Sequence, residues 1–578
     1  MTETHTTFAA PLEFPADPPW EAEEHDRFNV ASYLPARAAE RPYQKALIQP
    51  EGYTKLGKRA YSHLTYVQLD ALCDAYAHGL RTEGFQRGDH VLLLVTQGLE
   101  LIALTFALFK MGVVPVLIDP GMGVQGFRSC VESVEPVGFI GIPRAHAVRR
   151  VFASTFGSVK RKVVTEPKWW AGAAALNRIA DFSAGAFSCE DTERDELAAI
   201  LFTSGSTGAA KGVEYTHGIF DGQVKAIGQM YGIEPGEIEV PAFPLFSLFS
   251  IALGMTVVIP DMDPTKPAEV NPMNIVEAIL DHGATTAFGS PAIWARVGPY
   301  CAERGIRLPT LRRILTAGAP INPALMKQYE DVLSPGVSLH TPYGATENLP
   351  VSSIDSGEVL AETQQRTREG AGLCVGRAVP NMRIKIVRIT DDPIPTWGDA
   401  EELVTGEIGE ICVSGQVTTR RYYNKPQATA AAKIQDPERG ADAFWHRMGD
   451  VGYLDDRGRL WYCGRKAHRV VTADATMFSI ACESIFNAHE KVFRTALVGV
   501  GARGSQRPVL LVEPEKRHWP HNALAKKAFI DALLAMAKKH ESTSAIADVL
   551  FHEGFPVDRR HNAKIHREEL AVWAASRV

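Results

Sequence analysis

Between residues 197 and 213 the chain reads LAAILFTSGSTGAAKGV. The apolar run 197–202 has the pattern of a buried strand. It breaks into Thr203, Ser204, Gly205, Ser206, Thr207 and Gly208, with Lys211 and Gly212 close behind. Glycines let a backbone approach a ligand and turn successive N–H groups onto it. The hydroxyls add donors and Lys211 adds positive charge, so this loop could hold a polyphosphate. Its spacing is G-x-x-G-x-x-K, without the GK[ST] ending of a Walker A loop. Taken alone, a solvated Gly/Ser turn explains it equally well, and the rest of the chain has to decide.

Three further groups of residues could share that task. Residues 313–315 read as a strand leading into Thr316-Ala317-Gly318-Ala319-Pro320. Residues 337–339 lead into a loop, Pro342-Tyr343-Gly344-Ala345-Thr346-Glu347. In open α/β sheets ligands gather at the carboxyl ends of strands. Tyr343 could stack on a base, Thr346 could donate to a phosphate and Glu347 could hold a cation. Residues 446–465 read as a hairpin about Asp455-Asp456-Arg457-Gly458, which brings Asp450 and Arg465 to one open end. A carboxylate there could accept hydrogen bonds from both hydroxyls of a ribose. Lys564 lies in a late polar loop, where a lysine is usually just solvated. Taken singly, each of these residues is adequately explained as a turn or surface residue.

The elements that must position them alternate. A strand and helix span 61–80, with Leu69, Leu72, Tyr76 and Leu80 on one helical face. A strand at 90–95, a helix at 99–111 and a strand at 113–118 follow, the arrangement of parallel βα units. Gly121-Met122-Gly123-Val124-Gln125-Gly126 matches G-x-G-x-x-G, but no acidic residue closes the next strand, so we read 119–121 as a turn. Thr216 is a candidate N-cap for a helix, and His217 beside it is read as a helix-start residue rather than a catalytic one. Residues 382–415 change to short β-rich runs around the insert DDPIPTWGDAEE, suggesting a small antiparallel or barrel-like subdomain. Residues 465–471 are the best hinge, followed by a unit of roughly 110 residues with its own βα pattern.

At 578 residues the chain should form several structural units. The apolar fraction of 45% and charged fraction of 22% are those of a soluble globular protein, and a net charge of −6 gives no case for nucleic acid. The eight cysteines form no C-x-x-C pair, which fits reduced thiols in a cytoplasmic protein. The amino-terminal arm lacks the basic and apolar regions of a signal peptide. The most apolar stretch, 99–118, is interrupted by Glu100, Lys110 and Pro115 and is too broken to span a bilayer.

Taken together and in order, the pieces resemble the adenylate-forming superfamily of acyl-CoA synthetases, adenylation domains and luciferases. The matching strings are LTYVQL (64–69), GVVPVLIDP (112–120), TSGSTGAAKGV (203–213), TAGAP (316–320), YGATE (343–347), GEIGEICVSG (406–415), MGD (448–450), GR (464–465) and NAKIHREEL (562–570). The resemblance implies an α/β fold: a large N-terminal domain, 1–464, with two βα-type sheets and a small β-barrel subdomain at about 376–459. A small, mobile α+β C-terminal lid domain, 465–578, completes it. It implies ATP and Mg²⁺ as cofactors and a small-molecule acid as substrate. Thr203, Ser204, Gly205, Ser206, Thr207, Gly208 and Lys211 would hold the β- and γ-phosphates. Gly318, Ala319, Pro320, Tyr343 and Gly344 would border the adenine. Thr346 would approach the α-phosphate, Glu347 with Thr203 would ligate Mg²⁺, and Asp450 and Arg465 would hold the ribose. Lys564 would reach in from the lid toward the reacting carboxylate, making Lys564, Lys211 and Thr346 the catalytic set.

Departures from the acyl-CoA ligase pattern point to one branch. Ser247 follows Pro244-Leu245-Phe246 where many ligases carry a His. Ala467, Val471 and Asp474 stand where those enzymes usually read an acid, a Lys and a Gly. An Asp at the last position would obstruct a pantetheine arm and repel the phosphates of CoA. The strings FNVASYLPARAAERP, FPLFSLFSIALGMTVVIPDMDPTKP and TPYGATENLPVSSI are similar to the bacterial olefin-biosynthesis β-lactone synthetases. That branch adenylates a 2-alkyl-3-hydroxy fatty acid, whose own 3-hydroxyl attacks the acyl-AMP. The apolar stretch 243–253 would suit an alkyl pocket, or simply a buried core segment. By analogy with the branch, partner enzymes of the olefin pathway are expected. A long-chain fatty acyl-CoA ligase and a non-catalytic nucleotide-binding subunit are the alternatives.

Overall fold

A computed structural model describes residues 27–203, 210–243, 245–557 and 564–578. The first sheet has seven strands, in the order Ala174–Ala175, Arg161–Val164, Gly138–Gly141, His90–Leu94, Val114–Ile118, Leu197–Thr203 and Lys211–Thr216. All pairings are parallel except the last, which sets Thr203 opposite Lys211 in an antiparallel pair. The second sheet carries the parallel strands Lys45–Tyr53, Thr256–Val258, Ile238–Pro241, Thr286–Gly289, Arg313–Thr316 and Ser338–Ala345. Two βα-type sheets are therefore present, as the family resemblance implied, and their strands pair in parallel as the alternating pattern implied.

The helix Tyr66–Thr82 begins with a capping box in which Thr65 and Gln68 satisfy each other's backbone N–H groups. The helix Leu99–Lys110 is buried from Leu101 onward. Its terminal Lys110 is buried too, and its ammonium is held by Asp70 and Asp74. The broken apolar stretch is thus a core helix running into the strand Val114–Ile118. Among the described residues no helix is long and apolar enough to cross a membrane.

The G-x-G-x-x-G match falls on a helical turn, Pro120–Met122, capped by Asp119, and on the start of the helix Gly123–Val134. The Thr216 side chain caps the helix His217–Tyr231, and the buried His217 accepts a hydrogen bond from the Val30 N–H at 3.1 Å. Burial pushes this imidazole down to about 4, so it stays neutral and structural.

An antiparallel sheet of Met382–Val387, Gly409–Gly415, Phe444–Leu454, Leu460–Arg465 and Leu373–Ala378 forms the predicted β-rich subdomain. It joins the second sheet edge to edge, because Leu373–Ala378 also pairs with Asn348–Asp355. Beyond Arg465 a helical turn, Lys466–His468, and a two-residue hairpin lead into a three-stranded sheet of Val492–Val500, Arg507–Pro514 and Asp548–Phe551. Lys466 donates to the buried Glu410, which also takes two hydrogen bonds from Arg447. That network fastens the start of the C-terminal segment to the antiparallel subdomain.

Candidate active site

The strand Ser338–Ala345 runs further than its sequence suggests. Residues 342–345 are not a loop: they pair with Asn348–Asp355, with Ala345 opposite Asn348. Thr346 and Glu347 are the two residues at the tip of this hairpin. The turn is held from three sides. The Tyr215 hydroxyl donates to the Thr346 carbonyl at 2.5 Å. The Thr419 N–H and hydroxyl both donate to the Glu347 carbonyl, at 2.9 and 3.0 Å. The Tyr422 hydroxyl donates to Glu347 Oε1 at 2.7 Å. Gly344 is required beneath the turn, since a Cβ there would lie 2.6 Å from the Asn348 carbonyl oxygen.

Lys211 lies with its ammonium 4.8 Å from the centre of the Tyr422 ring. Lys211, Tyr422 and Glu347 therefore form one cluster, and Thr203 is paired with Lys211 at its edge. Ser204, Gly205, Ser206, Thr207 and Gly208 lie outside the described residues. Among the described residues no group of three or more His, Cys, Asp or Glu could cage a metal ion. The half-buried Glu347 carboxylate, with Lys211 and Tyr422 around it, fits Mg²⁺ held through one protein carboxylate and substrate phosphates.

Asp450 and Arg465 are registered partners across the hairpin, as predicted. The Tyr343 hydroxyl donates to Asp450 Oδ2 at 2.5 Å. Arg465 Nη1 lies 3.1 Å from Oδ1 but without hydrogen-bond alignment, so this buried oxygen has no hydrogen-bond partner. An orphaned buried acceptor next to a guanidinium fits a ribose hydroxyl. Burial pushes the Asp450 carboxyl up, against the pull of Arg465, Tyr343 and Lys564. The Arg465 guanidinium is held higher by Asp450. Lys564 therefore comes close enough to act on Asp450. Gly318, Ala319 and Pro320 follow the strand Arg313–Thr316, which pairs in parallel with Ser338–Ala345 as far as Leu315 and His340. Gly318 has φ +97°, a conformation open to glycine.

Thr346 and Lys564 open onto a cavity of about 1760 Å³. One wall is aromatic, with Phe220, Phe243, Phe246, Phe249 and Phe288, and charged side chains such as Arg144, Asp263 and Lys266 also line it. Phe246 stacks on Phe288 with ring centroids 3.8 Å apart and planes 10° apart. The stretch read as pocket or core is both. Phe246 and Phe249 face the cavity, while Ser247, Ser250 and Ile251 of the same helix, Phe246–Ala252, are buried. Gly318, Ala319, Pro320, Tyr343, Asp450 and Arg465 do not line this cavity.

Sequence reasoning passed over Tyr215, Tyr422, Thr419 and Lys433. The buried Lys433 ammonium donates to the Thr419 carbonyl, continuing the chain of bonds that ends on Glu347. Burial pushes Lys433 down to about 7, against the pull of Glu347. Nothing local marks these residues. Tyr422 reaches Glu347 only because residues 421–423 bond to the strand Lys211–Thr216, through a bridge between Val213 and Tyr422.

The AMP-binding enzyme family matches residues 34–423. The chain is 44% identical over 553 residues to the olefin beta-lactone synthetase of Xanthomonas campestris pv. campestris, covering 95% of this chain and 97% of that protein. It is 44% identical over 555 residues to the olefin beta-lactone synthetase of Stenotrophomonas maltophilia, covering 95% and 98%. Among solved structures, the amide bond synthetase McbA from Marinactinospora thermotolerans superposes with a TM-score of 0.75 at 22% identity, over 94% of this chain and 99% of that one. The fold, the hairpin that carries Thr346 and Glu347, the Asp450–Arg465 pair and these matches agree: the chain belongs to the family of AMP-binding enzymes, the adenylate-forming ligases.

Proposed function

We propose that the protein converts a 2-alkyl-3-hydroxy fatty acid, with ATP, into a β-lactone, AMP and pyrophosphate, within long-chain olefin biosynthesis. A carboxylate oxygen attacks the α-phosphorus and pyrophosphate leaves. The 3-hydroxyl oxygen then attacks the acyl carbon, the bond from that carbon to the AMP oxygen breaks, and the hydroxyl proton leaves with the AMP phosphate. Holding both groups in one molecule replaces a bimolecular step. The mixed anhydride supplies the driving force to close a strained ring.

The observation that carries this reading is the cavity. Thr346 and Lys564 line it beside the aromatic wall, and its volume of about 1760 Å³ exceeds the ~300–1,000 Å³ of drug-sized sites, as an acid with two alkyl arms requires. The near-full-length similarity to olefin beta-lactone synthetases supports the same reaction. In this assignment Lys211 and the loop from Thr203 to Gly208 hold the β- and γ-phosphates. Gly318, Ala319, Pro320, Tyr343 and Gly344 border the adenine, and Asp450 with Arg465 binds the ribose. Thr346 meets the α-phosphate. Glu347, with Thr203, would hold Mg²⁺, which when bound neutralises charge on the phosphates. Lys564 offsets the negative charge that gathers where carboxylate and phosphate meet. Residues 465–578 act as a lid on 1–464 and carry Lys564.

The test supplies a 2-alkyl-3-hydroxy acid, ATP and Mg²⁺ without CoA and analyses the products. AMP and lactone in equal amounts are expected. AMP that accumulates only once CoA is added would assign the protein to thioester formation instead.

A further inference from the structure

The helix His217–Tyr231 presents Phe220, Gln223, Ile227 and Tyr231 to the cavity, at helical spacing along one face. Gln223 is the amide among them, and it is 2% exposed. Its Nε2 donates to the Leu349 carbonyl at 2.9 Å and lies within hydrogen-bonding reach of the Tyr215 hydroxyl. The Leu349 carbonyl can only accept, which fixes which way round the amide sits. That leaves Oε1 as a buried acceptor without a partner. Most buried polar groups have a partner, and one left unmade is costly.

The placement of this acceptor matters. Tyr215, which Gln223 touches, is the residue that holds the Thr346 carbonyl. Leu349 belongs to the strand that begins next to Glu347. On its other side Gln223 continues into the aromatic wall through Phe220. Gln223 therefore stands where the phosphate-facing end of the cavity meets its apolar part. A hydroxyl on the third carbon of an acid, two bonds from the reacting carbon, has to lie at that junction.

We infer that Gln223 Oε1 accepts a hydrogen bond from the 3-hydroxyl of the substrate and so selects hydroxylated acids and points the hydroxyl oxygen at the acyl carbon. The inference rests on the proposed function. An amide does not take up the proton, so Gln223 binds and orients. As the O–C bond forms and the C–O bond to AMP breaks, the proton goes to the departing phosphate. Orientation of this kind matters because the attacking oxygen must approach to about 3–3.5 Å in a defined direction.

The experiment compares pyrophosphate exchange driven by a 2-alkyl-3-hydroxy acid with exchange driven by the same 2-alkyl acid lacking the hydroxyl, in the wild type and in Gln223→Met. The substitution keeps the side-chain length and removes the amide. The ratio of kcat/KM for hydroxylated over deoxy acid is expected to fall by about tenfold or more, with the deoxy acid little affected. The yield of lactone per AMP should fall with it. An unchanged ratio, or a parallel loss on both acids, overturns the inference, since a purely structural role would act on both. Should Gln223→Met fail to fold, Gln223→Asn, which withdraws the acceptor by one methylene, is read by the same ratio. A wild type that makes no lactone from the hydroxylated acid defeats the proposed function itself. A wild type that makes lactone while the ratio holds in the variant defeats only the role of Gln223.

Discussion

Lys564 and Glu239 show how burial and partners set the task of a charged side chain. Lys564 is exposed, lines the cavity and pulls the Asp450 carboxyl down. Lys564→Ala should lower pyrophosphate exchange by about a hundredfold or more, the loss expected for one well-placed group facing developing charge. ATP binding, measured by calorimetry, should stay nearly intact; equal losses in binding and exchange would contradict the role given to it. Glu239 is 1% exposed, and its carboxyl takes a hydrogen bond from the Ser250 hydroxyl behind the aromatic wall. Burial pushes it up to about 7, from roughly 4.3 in an unfolded chain. A raised carboxyl contributes stability that is complete below about pH 4.3 and is lost as pH rises through about 7. Glu239→Gln should therefore flatten the fall in Tm between pH 5 and 8, a difference on the order of 3 kcal/mol at its upper bound. A variant with the same pH slope as the wild type would show that Glu239 does not titrate in this window.

The hairpin of Ser338–Ala345 and Asn348–Asp355 is the element on which the proposed nucleotide site depends. Its two-residue tip carries Thr346 and Glu347, and Tyr215, Thr419 and Tyr422 hold that tip from neighbouring strands and loops. The backbone beneath leaves no room at Gly344, because both the Asn348 carbonyl and the Leu349 side chain lie within 3 Å of where a Cβ would stand. Gly344→Ala must displace the hairpin. Displacements near 1 Å can cost about a hundredfold in rate, so a fall of tenfold or more in kcat/KM for ATP is expected. Wild-type kinetics in this variant would mean that the tip tolerates movement.

Across the whole chain, the question is how the C-terminal segment brings Lys564 to a site built by the rest. Arg567, three residues beyond Lys564, makes two hydrogen bonds to the buried Glu483, at 3.0 and 2.6 Å. Glu483 belongs to the helix Ser479–Asn487, whose Ala481 packs into the core of the second sheet. His468 meets Glu568 at 3.1 Å. Burial pushes that imidazole down to about 4, so the contact is a hydrogen bond rather than an ion pair at neutral pH. Glu483→Ala leaves a buried guanidinium without its carboxylate, a change that costs about 3–5 kcal/mol. Adenylation should fall well before ATP binding does, with a lower Tm in the same preparation. Equal effects on binding and turnover would show that this pair does not seat Lys564.

Alternation and turn chemistry were enough to give parallel βα units, an antiparallel subdomain and a smaller C-terminal unit, because each is encoded in short-range patterns; the two-sheet architecture and the adenylate-forming chemistry came from the family resemblance that the ordered motifs carry. A strand period, a capping threonine at Thr216 or a Gly-Ser-Lys loop is decided by neighbours a few positions apart. The pairing of Asp450 with Arg465 was legible for the same reason: one turn fixes the register. The extent of the strand through Tyr343 was not legible, since Asn348–Asp355 completes it by pairing. Tyr215, Thr419, Tyr422, Lys433 and Gln223 were silent as well. Their hydrogen bonds and ring contacts join strands and loops up to about two hundred positions apart in the chain. Only packing reveals which hydroxyl, ammonium or amide ends up buried beside Glu347 and Thr346, and which buried acceptor is left unpaired.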